Sequence, residues 1–230
     1  MKKLLVANYK MNGNKDFYQK VNKVINKVKT EDTIVLCPPF VYMPFLKLKN
    51  KSLFLGSQDI ASVENKKSTG QISSTMLKEF SVKYTLIGHS ERREIGETDK
   101  LVAVKVAAAQ SKDIVPIVCV GEENRVSKLM VLAEQVKGAL EQAEEKEVVF
   151  AYEPIWAIGT GDQPTVPQIN KAIKIIKDAA KECGFAVKVL YGGSVNSENY
   201  KNILTSKADG LLMGGVSLKL NEFIKIIKGE

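Results

Sequence analysis

Short apolar runs recur along the chain and alternate with longer stretches in which apolar residues return every three or four positions. Short apolar runs are typical of buried strands, whereas the three-to-four spacing is typical of amphipathic helices. The pattern predicts eight strands, at residues 3–6, 33–37, 53–57, 84–87, 114–120, 147–152, 187–190 and 210–213. It also predicts helical segments at residues 15–29, 43–48, 73–80, 100–111, 124–144, 166–183, 197–204 and 217–227.

Eight strand–helix units in series predict an α/β protein, a single-domain (β/α)₈ barrel with eight parallel strands and an outer ring of helices. An open, doubly wound sheet is the alternative, but it usually carries a glycine-rich dinucleotide-binding turn after its first strand. The segment at that place, VANYK at residues 6–10, has no glycine. No linker or change in composition marks a boundary, so one domain is expected over residues 1–230.

Length and composition fit one sizeable domain, because 230 residues with 44% hydrophobic content can bury a large core. No uncharged apolar stretch is long enough for a membrane span, and the apolar start of the chain meets Asn8 too soon for a signal-peptide core. A cytoplasmic protein is therefore expected. Cys37 and Cys119 lie in apolar, strand-like runs, and with Cys183 as the third cysteine no disulfide is expected.

The net charge is +8, and many of the lysines are spread along helical stretches such as 15–29 and 171–181. Such stretches are most simply solvated helix faces, and the sequence has no basic stripe with interleaved aromatic residues that could stack nucleic-acid bases. Nucleic-acid binding is therefore not favoured. A positive field still helps to collect small anionic substrates.

Polar residues and glycines cluster directly after five of the predicted strands. They are Asn8 and Lys10 after the first, His89, Ser90 and Glu91 after the fourth, Glu153 after the sixth, Gly192, Gly193 and Ser194 after the seventh, and Gly214 and Gly215 after the eighth. The active site of a parallel barrel lies at this rim, so these residues are the candidates for a site. Each has a plainer interpretation as a turn residue or, for Arg92 and Arg93, a surface charge. His89 is the only histidine, so it cannot join a multi-histidine metal cluster, and a structural role is open to it.

The segment AYEPIWAIGTG at residues 151–161 joins a carboxylate at a strand end to a loop of uneven stiffness. Glu153 ends the strand because Pro154 cannot donate to a sheet ladder. Pro154 stiffens one side of the loop, while Gly159 and Gly161 permit unusual dihedral angles on the other, which is typical of a lid between two hinges. The segment alone is equally compatible with an ordinary β-to-α connection that carries a solvated glutamate.

Four blocks, in order and at predicted strand ends, together resemble one known family. They are NYKMNG at residues 8–13, IGHSERR at 87–93, the segment at 151–161, and YGGSV at 191–195 with MGG at 213–215. Over essentially its whole length the chain is similar to the triosephosphate isomerase family. The resemblance implies a TIM barrel that interconverts dihydroxyacetone phosphate and D-glyceraldehyde 3-phosphate through an enediolate, in glycolysis and gluconeogenesis. The alternatives are another phosphate-binding barrel enzyme, or a silent binding barrel that is expected to lack Glu153, His89 or Lys10.

The resemblance also implies a role for each candidate residue. Glu153 is the base, neutral His89 and Lys10 donate to the developing oxyanion, Asn8 helps to hold the substrate, and Glu91 lies near the reacting oxygens. The phosphate is expected on the backbone N–H groups of Gly193, Ser194, Gly214 and Gly215, joined by Gly159 when the lid closes. No metal or cofactor is expected. A neutral His89 is also favoured by the SERR helix start that follows it, because the positive end of a helix dipole disfavours imidazolium.

By the same resemblance, the protein is expected to form a homodimer. The long connection from Gln58 to Ile72 is expected to reach the second subunit, so that Thr69 approaches Asn8 and Lys10 of the partner subunit. A mobile surface loop is the alternative for this connection.

The sequence departs from the family pattern at three places. The segment between Arg93 and Glu97 is one residue shorter than is common, which questions a salt bridge from Arg92 to Glu97. The second lid hinge reads DQP at residues 162–164, and Pro164 lacks an N–H with which Tyr191 could form a latch, so closure is expected to rely more on Ser194 with Gly161. Gln71 stands where a glutamate is usual, which questions one interface ion pair.

Overall fold

The computed structural model describes residues 2–64, 67–123, 130–144, 146–157 and 163–230. At its centre lie eight strands: β1 (Leu4–Asn8), β2 (Thr33–Cys37), β3 (Leu53–Ser57), β4 (Val82–Ile87), β5 (Val115–Val120), β6 (Val149–Tyr152), β7 (Lys188–Tyr191) and β8 (Gly210–Met213). Each strand pairs in parallel with its neighbours in sequence, and β8 pairs with β1, so that the sheet closes. The predicted (β/α)₈ barrel is confirmed, with strand boundaries within two residues of those expected.

Helices follow the strands and form the outer layer. They are α1 (Lys15–Ile25), α2 (Ser74–Glu79), α3 (Ser90–Glu94), α4 (Asp99–Gln110), α5 (Met130–Leu140), α6 (Val166–Glu182), α7 (Tyr200–Ile203), α8 (Gly215–Leu218) and α9 (Leu220–Lys228), with 3₁₀ helices at Phe40–Phe45 and Ile155–Ala157. Within the described ranges, none of these helices combines the length and the apolar character that crossing a membrane requires.

The strands divide the core into two parts because successive side chains of a strand point to opposite faces of the sheet. In β1, Leu4 and Val6 belong to the barrel interior, whereas Leu5 and Ala7 face the helices. The interior is filled by one cluster of buried side chains: Leu4, Val6, Val35, Cys37, Tyr84, Leu86, Val115, Ile117, Cys119, Val149, Ala151, Leu190 and Leu212. The rim above this cluster is therefore the upper surface of a packed core and not the mouth of a pore.

Closure of the barrel brings β8 very near β1. Gly210 is in register with Leu4, and a methyl group placed on Gly210 would lie 1.8 Å from the Leu4 carbonyl oxygen. Only glycine fits this position without moving a strand, because the obstacle is backbone and not a flexible side chain.

Three helical segments differ from the sequence-based expectation. The helix expected at residues 15–29 ends at Ile25, where the Asn26 side chain donates to the Asn22 carbonyl oxygen and competes with helical backbone bonds. The segment expected at 43–48 is the 3₁₀ helix Phe40–Phe45. The helix expected at 217–227 is two helices, because Lys219 between them has φ −93° and ψ 79°, which is not helical.

Two further helices end or begin differently from the expectation. Residues 124–129 of the segment expected at 124–144 lie outside the described residues, and α5 (Met130–Leu140) ends four residues before the expected end. The helix expected at 197–204 shortens to α7, because the Asn196 side chain accepts from the backbone N–H groups of Glu198 and Asn199 and holds those residues in a turn.

An aromatic cluster fastens the loop after β1 to α1. The Tyr9 ring meets Phe17 and Tyr18 edge-on, with ring centroids 5.9 and 5.4 Å apart. The Tyr18 hydroxyl donates to the Asn12 carbonyl oxygen at 2.8 Å. The buried Tyr9 hydroxyl, in contrast, has no hydrogen-bond partner among the described residues. A buried hydroxyl without a partner loses its bonds to water and gains none in return.

Replacing Tyr9→Phe is therefore expected to raise the free energy of unfolding by about 1 kcal/mol. The measurement is urea denaturation of wild type and variant at equal protein concentration. Tyr18→Phe is the matched control and is expected to lower stability, since it leaves the Asn12 carbonyl oxygen without its donor. A Tyr9→Phe protein less stable than wild type would contradict the structural account of this hydroxyl.

Candidate active site

The sequence-predicted site residues meet in one pocket at the carboxyl-terminal rim of the barrel. The pocket has a volume of about 250 Å³ and is lined by Asn8, Lys10, His89, Glu153, Gly192, Gly193, Ser194, Val195, Leu212, Gly214, Gly215 and Val216. Glu91 lies outside it, in a neighbouring groove that also borders Lys10 and His89. Gly159 lies outside the described residues, as do four further residues of the predicted lid and its hinge, at 158 and 160–162.

Glu153 directly follows β6 and is buried, with 4% of its surface exposed. Its Oε1 atom lies 3.4 Å from His89 Nε2, whereas its Oε2 atom has no hydrogen-bond partner among the described residues. The sheet ladder extends to this residue, because its backbone N–H donates to the Val120 carbonyl oxygen at 2.8 Å. Glu153 is thus a buried carboxylate on a firmly held backbone, with one oxygen that has no hydrogen-bond partner among the described residues.

Two glycines on neighbouring strands make room for Glu153. A methyl group on Gly192 would lie 2.7 Å from the Glu153 Cγ atom, and one on Gly121 would lie 1.8 Å from the Glu153 carbonyl oxygen. The position of the carboxylate therefore depends on the absence of side chains at both residues.

His89 is the residue immediately before α3, and its side chain caps that helix. Its Nδ1 atom accepts the backbone N–H of Glu91 at 3.2 Å. An imidazolium carries protons on both nitrogens and could not accept this bond. The hydrogen-bonding pattern is therefore that of a neutral ring with its proton on Nε2, the atom that lies 3.4 Å from Glu153 Oε1.

Lys10 has an uncommon backbone conformation for a residue with a side chain, with φ +50°. Its N–H donates to the Asn8 Oδ1 atom at 3.0 Å, and its carbonyl oxygen accepts from Gln58 Nε2 at 2.8 Å. Its ammonium group donates to Glu91 Oε1 at 2.7 Å. Because this ion pair is partly exposed, its contribution to stability is small, but it fixes the direction of the lysine side chain.

Backbone turns after β7 and β8 form the glycine-rich side of the pocket. Gly193 and Ser194 follow β7, and Gly214 and Gly215 lie at the start of α8. The buried Ser217 hydroxyl donates to the Gly214 carbonyl oxygen at 2.6 Å and holds the second turn. Gly215 is exposed, Ser194 and Gly214 are half-buried, and Gly193 is buried.

A buried carboxylate that sequence reasoning overlooked anchors the start of the predicted lid. Glu122 follows β5, and its Oε1 atom accepts from the Tyr152 hydroxyl at 2.8 Å and from Trp156 Nε1 at 2.9 Å. Burial, and after it the Glu122 carboxylate, raises the pKa of Tyr152 above its ordinary value, so that this phenol keeps the proton it donates. Glu122 could have been found from sequence by the same strand-end argument that found Glu153, applied to the fifth strand.

One of the two residues of the predicted latch, Ser194, contacts the described start of the predicted lid. The Ser194 hydroxyl donates to the Ala157 carbonyl oxygen at 2.9 Å. The Tyr191 hydroxyl is buried and has no hydrogen-bond partner among the described residues. The expected pairing of Ser194 with Gly161 falls on a residue outside the described ranges.

The salt bridge from Arg92 to Glu97, questioned because of the shortened segment, is present. Arg92 Nε lies 3.4 Å from Glu97 Oε2, and that oxygen also accepts from Lys105 Nζ at 3.0 Å. Asp59 completes the cluster through Lys105 at 2.6 Å and Arg92 at 2.8 Å. The other oxygen of Glu97 accepts the N–H of Gly88, the residue before His89, at 3.0 Å.

Arg93, which the sequence also allowed to be a surface charge, is largely buried, with 19% of its side chain exposed. Its Nε atom donates to the Gly88 carbonyl oxygen at 2.7 Å, and Nη1 donates to Asp99 Oδ1 at 2.6 Å. Charge predicts exposure on average, and the sequence gives no sign of the buried carbonyl that Arg93 binds.

Known proteins resemble this chain over nearly its full length. A sequence model of the family described as triosephosphate isomerase matches residues 3–230. The triosephosphate isomerase of Thermoanaerobacter sp. (strain X514) is 39% identical, over 97% of this chain and 98% of that protein. The enzymes named triosephosphate isomerase from Clostridium tetani (strain Massachusetts / E88) and Mesomycoplasma hyopneumoniae (strain 232) are 38% and 36% identical, over 98% and 99% of this chain and 96% and 99% of their own length. The chain therefore belongs to the triosephosphate isomerase family.

Proposed function

We propose that the rim pocket is where this isomerase interconverts dihydroxyacetone phosphate and D-glyceraldehyde 3-phosphate, with Glu153 as the base. The observation that carries the proposal is the pairing of a buried carboxylate with His89 Nε2 at 3.4 Å, in a pocket that also contains Lys10 and two glycine-rich turns. The reaction moves a proton between adjacent carbons, which one carboxylate placed beside both carbons can remove and return.

The proton transfer proceeds in two matched steps. Glu153 takes a proton from the carbon next to the carbonyl group, and the electron pair of that C–H bond forms the C=C bond of an enediolate while the carbonyl oxygen becomes an oxyanion. In the second step the hydroxyl proton of the first carbon passes to the former carbonyl oxygen, and the electron pair of that O–H bond forms the new C=O bond. The electron pair of the C=C bond takes the proton back from Glu153, which forms a C–H bond at the former carbonyl carbon. The unpartnered Oε2 atom of Glu153 supports this role, because a base already engaged in a strong hydrogen bond would have to break it first.

His89 and Lys10 are proposed to stabilise the oxyanion. His89 and Lys10 both line the pocket, and His89 Nε2 lies 3.4 Å from Glu153 Oε1. Donors that already point at the place where charge develops require no reorganisation during the reaction. Asn8 holds the backbone of Lys10, and Glu91 holds its ammonium group, so both are proposed to orient this donor. Asn8, which lines the pocket, is also proposed to help hold the substrate.

The glycine-rich turns are proposed to bind the phosphate group. The turns at Gly193–Ser194 and Gly214–Gly215 lie on the wall of the pocket, within the same volume as Glu153 and His89. Backbone N–H groups at a helix start favour an anion without a neutralising side chain. Gly159 is proposed to add a further N–H when the lid closes, which would exclude water and disfavour loss of phosphate from the enediolate.

The protein is further proposed to form a two-fold dimer, as the family does, through the loop from Gln58 to Ile72. A groove of about 300 Å³ beside the active site is lined by Asn8, Lys10, Met11, Phe40, Gln58, Asp59, Ile60, Ala61, Gly70, Gln71, Ile72, His89, Glu91 and Arg92. Met11, which lines this groove, is 95% exposed, and Val41 and Ile95, in the segments that follow β2 and β4, are each 73% exposed. Such exposure is typical of an interaction surface, and Thr69 of a second copy is the proposed occupant of the groove.

The cytoplasmic location and the single domain over residues 1–230 stay predictions.

The variant Glu153→Gln tests the assignment of the base. The amide cannot accept the proton, so kcat is expected to fall by roughly 10²–10⁴-fold, as measured by a coupled assay of the isomerisation. Glu94→Gln, which alters an exposed glutamate of α3, is the control and is expected to retain activity. Similar rates for wild type and Glu153→Gln would remove the proposed base.

The protonation state of His89 is testable by ¹⁵N NMR of the imidazole ring. In the free enzyme at neutral pH, we expect one protonated nitrogen, Nε2, and one unprotonated nitrogen, Nδ1, because Nδ1 accepts the Glu91 N–H. Since the chain has one histidine, the signals need no assignment by mutation. Two protonated ring nitrogens at neutral pH would contradict the proposed donor.

The dimer is testable by analytical ultracentrifugation. We expect wild type to sediment as a dimer, and Thr69→Arg to shift it toward monomer with a matching loss of activity, because a bulky charge would be forced into the groove. Thr205→Arg is the matched control, since Thr205 is also an exposed threonine but lies beyond α7, away from the groove. A fully active wild-type monomer would overturn the dimer.

A further inference from the structure

We propose that Arg93 is a positioning residue for the isomerisation: its guanidinium group holds the peptide that precedes His89 and thereby places the imidazole opposite Glu153. The proposal rests on the proposed role of His89 as the oxyanion donor. It follows from three contacts of Arg93 and from the conformation of Gly88.

The Gly88 carbonyl group belongs to the peptide bond that carries the His89 nitrogen. Arg93 Nε donates to this carbonyl oxygen at 2.7 Å, a short, charge-assisted bond that fixes the plane of the peptide. The next peptide group is fixed as well, since the His89 carbonyl oxygen accepts the backbone N–H of Arg93 at 3.0 Å. Arg93 therefore holds the chain on both sides of His89, once by its side chain and once by its backbone.

Gly88 itself cannot supply this rigidity. It has φ +69°, in the left-handed region that glycine enters freely, so its own preferences leave the direction of the following peptide open. Its N–H is held by Glu97 Oε1 at 3.0 Å, and its carbonyl oxygen is held by Arg93. A methyl group at Gly88 would lie 3.0 Å from Arg93 Nη2, which shows how closely the guanidinium packs against the chain.

The burial of Arg93 favours a positioning role over a surface ion pair. Its exposed partner, Asp99, occupies only Nη1, while Nη2 is buried and has no hydrogen-bond partner among the described residues. An arginine that served only to bind Asp99 could keep its whole guanidinium group in water at lower cost. The planar fork directs Nε and Nη1 to two acceptors at once, which the single nitrogen of lysine cannot reproduce in the same geometry.

The orientation of the Gly88–His89 peptide determines where the imidazole ring of His89, and with it the Nε2 atom, lies. Its ring is held at Nδ1 by the Glu91 N–H, and Nε2 lies 3.4 Å from Glu153 Oε1. A tilt of the preceding peptide would carry the ring with it or break the bond at Nδ1. Misplacement of a catalytic group by about 1 Å can cost roughly 10²-fold in rate.

The test compares Arg93→Met and Arg93→Lys with wild type by steady-state kinetics and by ¹⁵N NMR of His89. Arg93→Met is expected to lower kcat by roughly 10²-fold with a much smaller change in KM, because substrate binding by the phosphate turns is untouched. Arg93→Lys is expected to recover part of the loss. The ¹⁵N signals of His89 are expected to move toward averaged values in Arg93→Met, as Nδ1 loses its fixed donor.

Two matched controls separate positioning from stability. Asp99→Asn removes the charge of the exposed ion-pair partner and leaves the bond to Gly88, so kcat is expected to stay near wild type. Gln110→Met removes a buried side chain whose amide also donates to backbone carbonyl groups, those of Glu144 and Lys146, away from the pocket. It is expected to lower the melting temperature while the activity of the folded protein is retained.

A double-mutant cycle with His89→Gln distinguishes the two proposals. If Arg93 acts through His89, adding Arg93→Met to His89→Gln costs little further activity. If His89→Gln alone has wild-type activity, the proposed role of His89 fails, and the inference fails with it. If His89→Gln is impaired while Arg93→Met, or Arg93→Lys should the first variant not fold, keeps wild-type kcat and His89 signals, only the positioning role is overturned.

Discussion

The pairing of β8 with β1 is the constraint on which the rest of the molecule depends. Closure of the parallel ladder turns eight separate strand ends into one rim, and it allows Lys10 from β1 to share a pocket with the turns after β7 and β8. In an open sheet with the same strand order, β1 and β8 would lie at opposite edges. The absence of a side chain at Gly210, which lies against the Leu4 backbone, is therefore as necessary to the active site as any residue that lines it.

The two periodicities of the sequence were sufficient to predict the barrel, because burial on both faces of a strand and on one face of a helix leaves a direct record in the pattern of apolar residues. The strand-end rule likewise found Glu153, His89 and Lys10. Glu122 was not among the candidates, although it follows β5 much as Glu153 follows β6, because it lies in none of the four sequence blocks that resemble the family. Arg93 lies beyond the reach of such rules, since its burial follows from a tertiary contact with one carbonyl group. Some observed helix ends differ from the predicted ones because asparagine side chains, such as those of Asn26 and Asn196, bind backbone groups in place of helical hydrogen bonds.

The cation and the carboxylate that line the pocket differ in how fully they are paired. The cation, Lys10, already has a partner in the partly exposed Glu91, whereas the buried base, Glu153, keeps one oxygen without a partner among the described residues. An unpaired oxygen on a buried carboxylate is unfavourable, and a hydrogen bond from the substrate at Glu153 would offset that cost. The neutral ring of His89 fits the same scheme, since a second cation beside Glu153 would form an ion pair with the base and occupy it.

Position 192 requires glycine for a reason that its own sequence motif does not reveal. The YGGS segment resembles the phosphate-binding turn of the family, yet the nearest obstacle to a side chain at Gly192 is the Cγ atom of Glu153, directly after the neighbouring strand β6. The base and the anion-binding turn are consequently not independent modules that could be exchanged one at a time. A larger residue at position 192 would alter proton transfer before it altered phosphate affinity, so redesign of this pocket for a different anion has to treat β6 and β7 as a single unit.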